Sequence, residues 1–351
     1  MNPTELVLWA GLALGLIFGS SNQISGFCLY RGLSEGWSGH SSAKLQAFAL
    51  ALAIALAGTH LIHSWGLVDM KQSIYLSPSF SWLLIPLGGI IFGYGMGLAN
   101  GCGARALVLL AQGNLRSLLV LLCLGVAAYI TLTGVLAPLR LYLHSLTTVT
   151  LPQSSLAEGT VRSVIIVIIV GVLGFFALKP SDKPRSAVDL IGGVIVGLLI
   201  VGGWLTTGWL GADPFEPAPL TSLSFVAPVG DTIQYAMLST GLSLRFSTMV
   251  VLGVIVGAFL TALLRGRLQL KGFNSATQMA KYSLGGILMG VGGILALGCT
   301  IGQGLSGLST LSYSSIIAIF SIVIGARLSQ LTGRGPTLTG GMDNIDEASS
   351  S

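Results

Sequence analysis

Residues 88–102 read GGIIFGYGMGLANGC, and residues 285–299 read GGILMGVGGILALGC. Nine of the fifteen aligned positions are identical without a gap. The identities are the two opening glycines, Ile90/Ile287, Gly93/Gly290, Gly95/Gly292, Leu98/Leu295, Ala99/Ala296 and the closing pairs Gly101/Gly298 and Cys102/Cys299. The chain has only four cysteines, and two of them end equivalent copies of one segment. This pattern predicts an internal repeat whose halves each place a thiol at the same structural position.

The composition is that of a membrane protein. Charged residues make up 8% of the 351 residues, hydrophobic residues make up 52%, and the mean hydropathy is +0.85. A soluble domain carries about 25% charged residues. The first apolar run follows Met1–Glu5, which contains no basic residue, so we expect a retained helix rather than a cleaved signal peptide. The net charge of +5 reflects orientation in the bilayer and does not predict nucleic-acid binding.

Apolar runs predict nine transmembrane helices, because a helix needs about 17–25 residues to cross the bilayer. They lie near 5–22, 43–66, 82–99, 117–136, 162–178, 188–208, 246–264, 283–298 and 313–332. Four intervening segments are rich in Gly, Ser and Thr and poor in charge: 23–42, 100–114, 209–243 and 299–311. Irregular backbone at membrane depth is tolerated only within protein or along a cavity. We therefore expect an all-α polytopic protein with four re-entrant short-helix segments.

The repeat predicts how the chain is divided. A second, weaker match pairs the starts of the halves: Gly11, Gly15, Leu16 and Gly26 with Gly193, Gly197, Leu198 and Gly208. Glycine-rich membrane helices resemble one another by composition, but this alternative does not account for the shared cysteine. We expect a first half at 1–140, a linking transmembrane helix with its loops at 141–187, a second half at 188–333 and a disordered cytoplasmic tail at 334–351.

Basic residues predict the orientation in the membrane. Two basic loops, Lys179–Arg185 and Arg265–Lys281, are separated by two predicted spans and so share one face, the cytoplasmic one. Counting spans from these loops places the N-terminus in the periplasm and the C-terminus in the cytoplasm. The same count places further basic residues on the cytoplasmic face, namely Arg31, Lys44, Arg105, Arg116 and Arg334. Because a single span separates the halves, we expect them to be inverted relative to each other, a recurrent plan of transporters.

Each Gly-Cys pair follows an apolar run and precedes a short predicted helix. A thiol at a helix N-terminus lies at the positive end of the dipole, where backbone N–H groups also suit an anion. The alternative is that cysteine serves as a small apolar residue of a membrane core. Cys28, in SGFCLYRG, lies at a similar break, and we assign function to Cys28, Cys102 and Cys299. Cys123, inside the unbroken run LLVLLCLGVAAY, is expected to be structural.

The absence of certain polar residues restricts the kinds of substrate that the protein could transport. No predicted span has Asp or Glu in its interior, where cation-coupled transporters usually place carboxylates. His60 and His63 lie near a span end, and a CxxC zinc motif is absent, so we expect no metal and no cofactor. The thiols therefore suit something soft and sulfur-like.

Three polar residues near the Gly-Cys pairs have two possible roles each. Arg105 is either an attractor of the anion or a cytoplasmic anchor. Asn100 and Gln303 either donate to sulfonate-type oxygens or take part in helix packing. With Gly101 and Gly298, these residues complete the candidate site.

Three segments, GFC at 26–28, NGCGAR at 100–105 and GCTIGQGLSG at 298–307, resemble the cysteine motifs of the YeeE/YedE sulfur-transport family. The resemblance covers almost the whole chain. It implies a repeat-built transporter in which cysteine-bearing re-entrant loops narrow a central hourglass. It also implies passage of thiosulfate by transient S–H···S contacts, with thiols that match Cys28, Cys102 and Cys299. A cytoplasmic TusA-like sulfur carrier, of the kind that accompanies the thiosulfate transporters, is the implied protein partner.

From the repeat and the resemblance together we expect a non-enzymatic importer of thiosulfate in the bacterial inner membrane. We expect Cys102 and Cys299 near the constriction and Cys28 towards the cytoplasmic exit. Two alternatives remain open at this point. The first is transport of another soft anion, such as sulfite or a selenium species. The second is a membrane-embedded sulfurtransferase in which a cysteine forms a persulfide.

Overall fold

The computed structural model describes residues 3–39, 42–150, 155, 159–179, 187–212, 218–273 and 275–332. Its helices are α1 (Pro3–Ser25), α2 (Leu29–Trp37), α3 (Ala43–Ser64), α4 (Leu84–Leu98), α5 (Gly103–Ala111), α6 (Leu115–Leu132), α7 (Ala137–Thr147), α8 (Gly159–Leu178), α9 (Ala187–Leu205), α10 (Val226–Met237), α11 (Phe246–Leu264), α12 (Ala276–Leu295) and α13 (Tyr313–Leu331). Short strands β1 (Ser79–Ser81) and β2 (Thr148–Thr150) pair antiparallel, with Phe80 opposite Val149. The predicted all-α polytopic class is confirmed.

Eight helical stretches among the described residues are long and apolar enough to span a membrane. They are Thr4–Trp37, Ala43–Ser64, Leu84–Ala111, Leu115–Leu132, Val161–Leu178, Ala187–Leu210, Phe246–Leu264 and Tyr313–Leu331. The ninth predicted span corresponds to α12, which is missing from this set because its first turns read ATQMAKYS and its remainder is rich in glycine. The protein is therefore a multi-pass membrane protein.

The two glycine-rich segments of the repeat form α4 and α12, which cross each other closely. A Cβ on Gly88 would lie 2.7 Å from the carbonyl oxygen of Gly292. At the matched position of the other half, a Cβ on Gly285 would lie 2.9 Å from the carbonyl oxygen of Gly95. Small residues let helix backbones approach in this way. The shared glycine pattern thus has a structural reason, since both copies need it for the same crossing.

The remaining long helices exchange partners between the two halves. Helix α1 packs along α11, and its counterpart α9 packs along α3; likewise α4 packs along α13, and α12 along α6. The weaker glycine match lies at these contacts, since Gly15 meets the Val250 carbonyl and Gly197 meets the Ala51 carbonyl. Such an exchange is what a two-fold arrangement of the halves predicts. The inverted orientation and the boundaries at 140 and 188 stay predictions.

Three of the four predicted re-entrant segments contain a short α-helix, namely α2, α5 and α10. The fourth, 299–311, contains short helical turns of other types: a π-helical turn over Gly302–Gly307 and a 3₁₀ turn over Leu308–Thr310. Helix α13 packs closely here, since a Cβ on Gly304 would lie 3.0 Å from the Ile319 side chain. Residues 40–41 and 213–217 of these segments, and the predicted tail from 334, lie outside the described residues.

The loops that follow α5 and α11 meet at one end of the helix bundle. The Arg116 Nε donates to the Gly272 carbonyl at 2.7 Å, and the Gln269 N–H donates to the Gln112 carbonyl at 2.9 Å. The opposite end carries β1 and β2, and there the Ser312 hydroxyl donates to the Tyr75 carbonyl at 2.5 Å. We call these the basic end and the hairpin end.

Candidate functional site

Helices α4 and α12 end in the same backbone geometry. Asn100 and Leu297 are left-handed, with φ of 56° and 59°, and each is followed by a glycine, Gly101 at 151° and Gly298 at 157°. Each of these glycine N–H groups donates back to the preceding helix, to the Met96 carbonyl at 3.0 Å and to the Gly293 carbonyl at 2.8 Å. Asparagine tolerates the left-handed region, whereas the next position is open essentially only to glycine. The left-handed conformation at the end of α4 is therefore a structural reason for asparagine at position 100.

The missing Cβ atoms at the two breaks also make room for polar side chains. A Cβ on Gly101 would lie 2.6 Å from the Arg105 Cδ, and a Cβ on Gly298 would lie 3.1 Å from the Gln303 Cγ. Both polar side chains therefore fold back over the break that precedes them. The Gln303 Nε2 uses this position to donate to the Ala296 carbonyl at 2.7 Å, which caps the end of α12. Gln303 thus has a structural bond that the sequence did not reveal.

The three cysteines of the predicted site are buried, with exposed fractions of 2% for Cys28, 3% for Cys102 and 1% for Cys299. Cys28 is the N-cap residue of α2, and Cys102 is the N-cap residue of α5. The Cys299 Sγ accepts the Gly302 N–H at 3.4 Å, as a capping residue would. Cys123 differs from these three, because it is half-buried in the middle of α6.

Neighbouring side chains connect the three buried thiols. The Cys28 thiol lies beside the Cys102 thiol. The Thr300 side chain lies next to Cys102, and Thr300 is joined to Cys299. Beyond Cys299, towards the hairpin end, is the phenol of Tyr75, whose oxygen would lie 3.3 Å from a Cβ on Gly302. Burial, and then the neighbouring Cys299, raise the pKa of the Tyr75 phenol, so it remains a hydrogen-bond donor.

A cationic cluster, defined as Arg31, Lys44 and Arg105, lies on the basic-end side of the thiols. Arg31 and Arg105 are within electrostatic range of Cys28, and Lys44 is within range of both arginines. The carboxylates of Glu35 and Asp189 also lie near Lys44 and moderate the positive charge.

Sequence reasoning placed Arg31 and Lys44 on the cytoplasmic face but not in the site. A signal was present, because Cys28-Leu-Tyr-Arg31 and Cys102-Gly-Ala-Arg105 share the spacing Cys-x-x-Arg. The third motif has Gly302 at the corresponding position, so this spacing distinguishes the basic end from the hairpin end.

A recess of about 190 Å³ opens beside the break in the first half. Asn100, Cys102 and Arg105 contribute to its lining, together with Ser117 and Val120 of α6. A larger recess of about 320 Å³ lies elsewhere, where Asp231 of α10 accepts hydrogen bonds from the Tyr129 and Ser247 hydroxyls. Of the three buried thiols, Cys102 lines the smaller recess, together with Arg105 of the cationic cluster.

Several buried polar side-chain atoms have no hydrogen-bond partner within the described residues. They include the Asn22 Nδ2, the Arg105 Nε and the Gln303 Oε1. His60 and His63, which lie far along α3, bond separately to Ser163 and to the Val68 carbonyl. Among the residues that the structure describes, no three His, Cys, Asp or Glu side chains form a metal-binding group. The arrangement offers thiols, amide and hydroxyl donors, and cations.

The sequence is similar to one family model and to two named proteins. The model of a family described as sulphur transport matches residues 24–328. The thiosulfate transporter TsuA of Escherichia coli (strain K12) is 22% identical over 342 residues, which cover 91% of this chain and 92% of that protein. The thiosulfate transporter TsuA of Spirochaeta thermophila (strain ATCC 700085 / DSM 6578 / Z-1203) is 24% identical over 338 residues, 91% of this chain and 97% of that protein. All three site cysteines lie inside the matched region.

Proposed function

Since the chain belongs to the sulphur transport family, we propose that it imports thiosulfate across the bacterial inner membrane. Its family and relatives make it a transporter and not an enzyme. The observation that carries the choice of cargo is the row of buried thiols, Cys28, Cys102 and Cys299, each at the end of an interrupted helix. Both curated relatives are named for thiosulfate, which agrees with a soft, sulfur-terminated cargo.

In the proposed mechanism the ion passes the thiols by transient S–H···S contacts. Thiols are weak hydrogen-bond donors, so each contact holds the ion only briefly and allows it to move to the next. Cys299 on the hairpin side receives the ion from the periplasm, and Cys102 and Cys28 pass it on. The residues Gly101 and Gly298 bring backbone close to the path at the two breaks.

The cationic cluster attracts the anion towards the cytoplasmic side of the thiols. A thiosulfate dianion that reaches Cys102 meets Arg105, then Arg31 and Lys44. The carboxylates of Glu35 and Asp189 reduce the net charge of this region, which prevents the cluster from trapping the ion. We assign these cations to attraction and release on the cytoplasmic side, in agreement with the orientation that the basic loops predict.

Import of a dianion works against the membrane potential. At about 100 mV, inside negative, the opposing free energy is about 4.6 kcal/mol, since each charge contributes about 2.3 kcal/mol. Uncoupled entry therefore needs an internal concentration roughly three orders of magnitude below the external one. A cytoplasmic TusA-like carrier that removes sulfur from the incoming ion would maintain such a gradient.

The proposal is tested in cells that lack other thiosulfate importers, with labelled thiosulfate uptake and growth on thiosulfate as the sole sulfur source. We expect Cys102→Ala and Cys299→Ala to abolish both, Cys28→Ala to reduce both, and the matched control Cys123→Ala to behave as the parent. Uptake by the alanine variants at the parental rate would refute the thiol path. Stronger competition by sulfite or selenite than by thiosulfate would identify another cargo. A persulfide on a site cysteine that turns over with transport would point to a sulfurtransferase.

A further inference from the structure

Tyr75 lies at the hairpin end, in the loop between α3 and β1, and its ring is folded into the protein. It is 2% exposed. Its carbonyl accepts the Ser312 and Ser314 hydroxyls at 2.5 and 3.4 Å, and its ring meets the Trp204 ring edge-on, with centroids 6.2 Å apart. The phenol is therefore held in place by its backbone and its ring. Its hydroxyl forms no hydrogen bond within the described residues.

Ser224 lies in the loop that precedes α10, and its neighbours fix this loop on both sides. The Ser306 hydroxyl donates to the Leu223 carbonyl at 2.8 Å. The Ser222 hydroxyl donates to the Ile200 carbonyl at 2.7 Å. Ser224 itself is half-buried, and its hydroxyl also forms no hydrogen bond with any residue that the structure describes. The serine is thus held by the loop while its hydroxyl stays available.

Gly302 brings these two hydroxyls together beside Cys299. A Cβ on Gly302 would lie 2.7 Å from the Ser224 Oγ and 3.3 Å from the Tyr75 hydroxyl oxygen. The Gly302 N–H is also the group that donates to the Cys299 Sγ at 3.4 Å. The Tyr75 phenol is within electrostatic range of the same cysteine. Two hydroxyls and one thiol therefore converge on a single glycine.

The repeat shows what the glycine replaces. Gly302 is three residues after Cys299, as Arg105 is three residues after Cys102. The arginine side chain extends from this position in the first half, within electrostatic range of Cys28. In the second half the missing side chain instead lets two neutral hydroxyls approach the backbone. The two breaks thus offer an anion different groups, a cation towards the basic end and hydroxyl donors towards the hairpin end.

We propose that the Tyr75 and Ser224 hydroxyls bind the sulfonate oxygens of thiosulfate while its terminal sulfur faces the Cys299 thiol. This inference rests on the proposed function and names the groups that hold the oxygen end of the ion. Hydroxyls donate well to oxygen, whereas a thiol is a weak donor that suits sulfur. A buried donor without a partner is unfavourable, and the ion satisfies it. Tyr75 and Ser224 are thus specificity-determining residues for an anion with one sulfur end and one oxygen end.

The test measures thiosulfate binding and thermal unfolding of the purified full-length protein in detergent. The variants are Tyr75→Phe and Ser224→Ala, which each remove one hydroxyl and keep the surrounding packing. The uptake of labelled thiosulfate by cells gives a second measurement, the concentration at which uptake is half-maximal.

Two matched controls remove hydroxyls that already have partners. Ser222→Ala changes the same loop, where the Ser222 hydroxyl donates to the Ile200 carbonyl. Tyr129→Phe changes another tyrosine, whose hydroxyl donates to Asp231. Both controls should unfold at a lower temperature than the parent, because each loses an internal hydrogen bond, and both should bind thiosulfate as the parent does.

We expect Tyr75→Phe and Ser224→Ala each to bind thiosulfate about ten-fold more weakly than the parent. Their half-maximal uptake concentrations should rise to a similar extent. Without thiosulfate both should unfold at or above the parental temperature, because neither loses a hydrogen bond within the protein. The thiosulfate-induced rise in unfolding temperature should shrink in both.

Parental thiosulfate affinity in Tyr75→Phe or in Ser224→Ala would overturn the inference. An equal loss of affinity in Ser222→Ala would also overturn it, because the packing of the loop and not the free hydroxyl would then be responsible. Failure of the proposed function looks different, since the parent protein itself would then neither bind nor take up thiosulfate. Loss of binding in Cys299→Ala with parental binding in both hydroxyl variants would keep the thiol path and remove only this inference.

Discussion

Gly101→Ala tests how the helix breaks at the site are built. The Gly101 φ of 151° lies in a region that only glycine populates readily. Alanine there should cost about 1–3 kcal/mol of unfolding free energy in backbone strain. The new Cβ would also lie 2.6 Å from the Arg105 Cδ. Because the arginine side chain can rotate away, this contact should mainly displace the guanidinium from the thiols.

The assay is thermal unfolding of the purified protein together with thiosulfate uptake, and the matched control is Gly171→Ala. Gly171 lies on the exposed α8, where a Cβ would meet nothing within 4 Å. There alanine should be neutral or stabilise by up to about 1 kcal/mol, because it favours the helix. We expect Gly101→Ala to unfold several degrees lower, at about 2–4 °C per kcal/mol, and to lose uptake. Equal stability of the two variants would refute the role of backbone conformation at the break.

Two further predictions concern the thiols and the cationic cluster. Because the Cys28 and Cys102 thiols lie side by side, a mild oxidant should join them in a disulfide and stop uptake, and a reductant should restore uptake. The Cys28→Ala variant should not form this disulfide. A disulfide that still forms in Cys28→Ala would show that another pair of cysteines is oxidised. Arg105→Gln should weaken thiosulfate binding about ten-fold by removing a charge-assisted contact. The control is Arg116→Gln, because the Arg116 Nε donates to a loop carbonyl away from the thiols, and this variant should bind thiosulfate as the parent does. An equal loss of binding in both variants would indicate a general effect of surface charge.

The sequence predicted the breaks in the helices because the backbone at each break requires glycine, and this requirement depends only on nearby residues. The repeat at 88–102 and 285–299 placed them correctly, and the structure has left-handed Asn100 and Leu297 at equivalent points. The all-α class was also predictable, because the hydropathy of a transmembrane helix depends on consecutive residues of the chain. The hairpin of β1 and β2 and helix α7 were not predicted, because their pairing depends on distant chain segments.

Side-chain partners were the harder part of the site. The sequence left two roles open for Gln303, donation to the anion or helix packing. In the structure its Nε2 donates to the Ala296 carbonyl, because the missing Cβ of Gly298 lets the side chain fold back. Arg31 was assigned only to a membrane face, and its closeness to Cys28 depends on how α2 begins.

The most direct test of the thiol path is uptake of labelled thiosulfate by proteoliposomes that contain only the purified protein, with no added carrier. At zero membrane potential the parent and Cys123→Ala should equilibrate thiosulfate across the bilayer, and an inside-negative potential should reduce accumulation. Cys102→Ala and Cys299→Ala, inserted at the same amount, should show only leakage. Equilibration by these two variants at the parental rate would contradict the account.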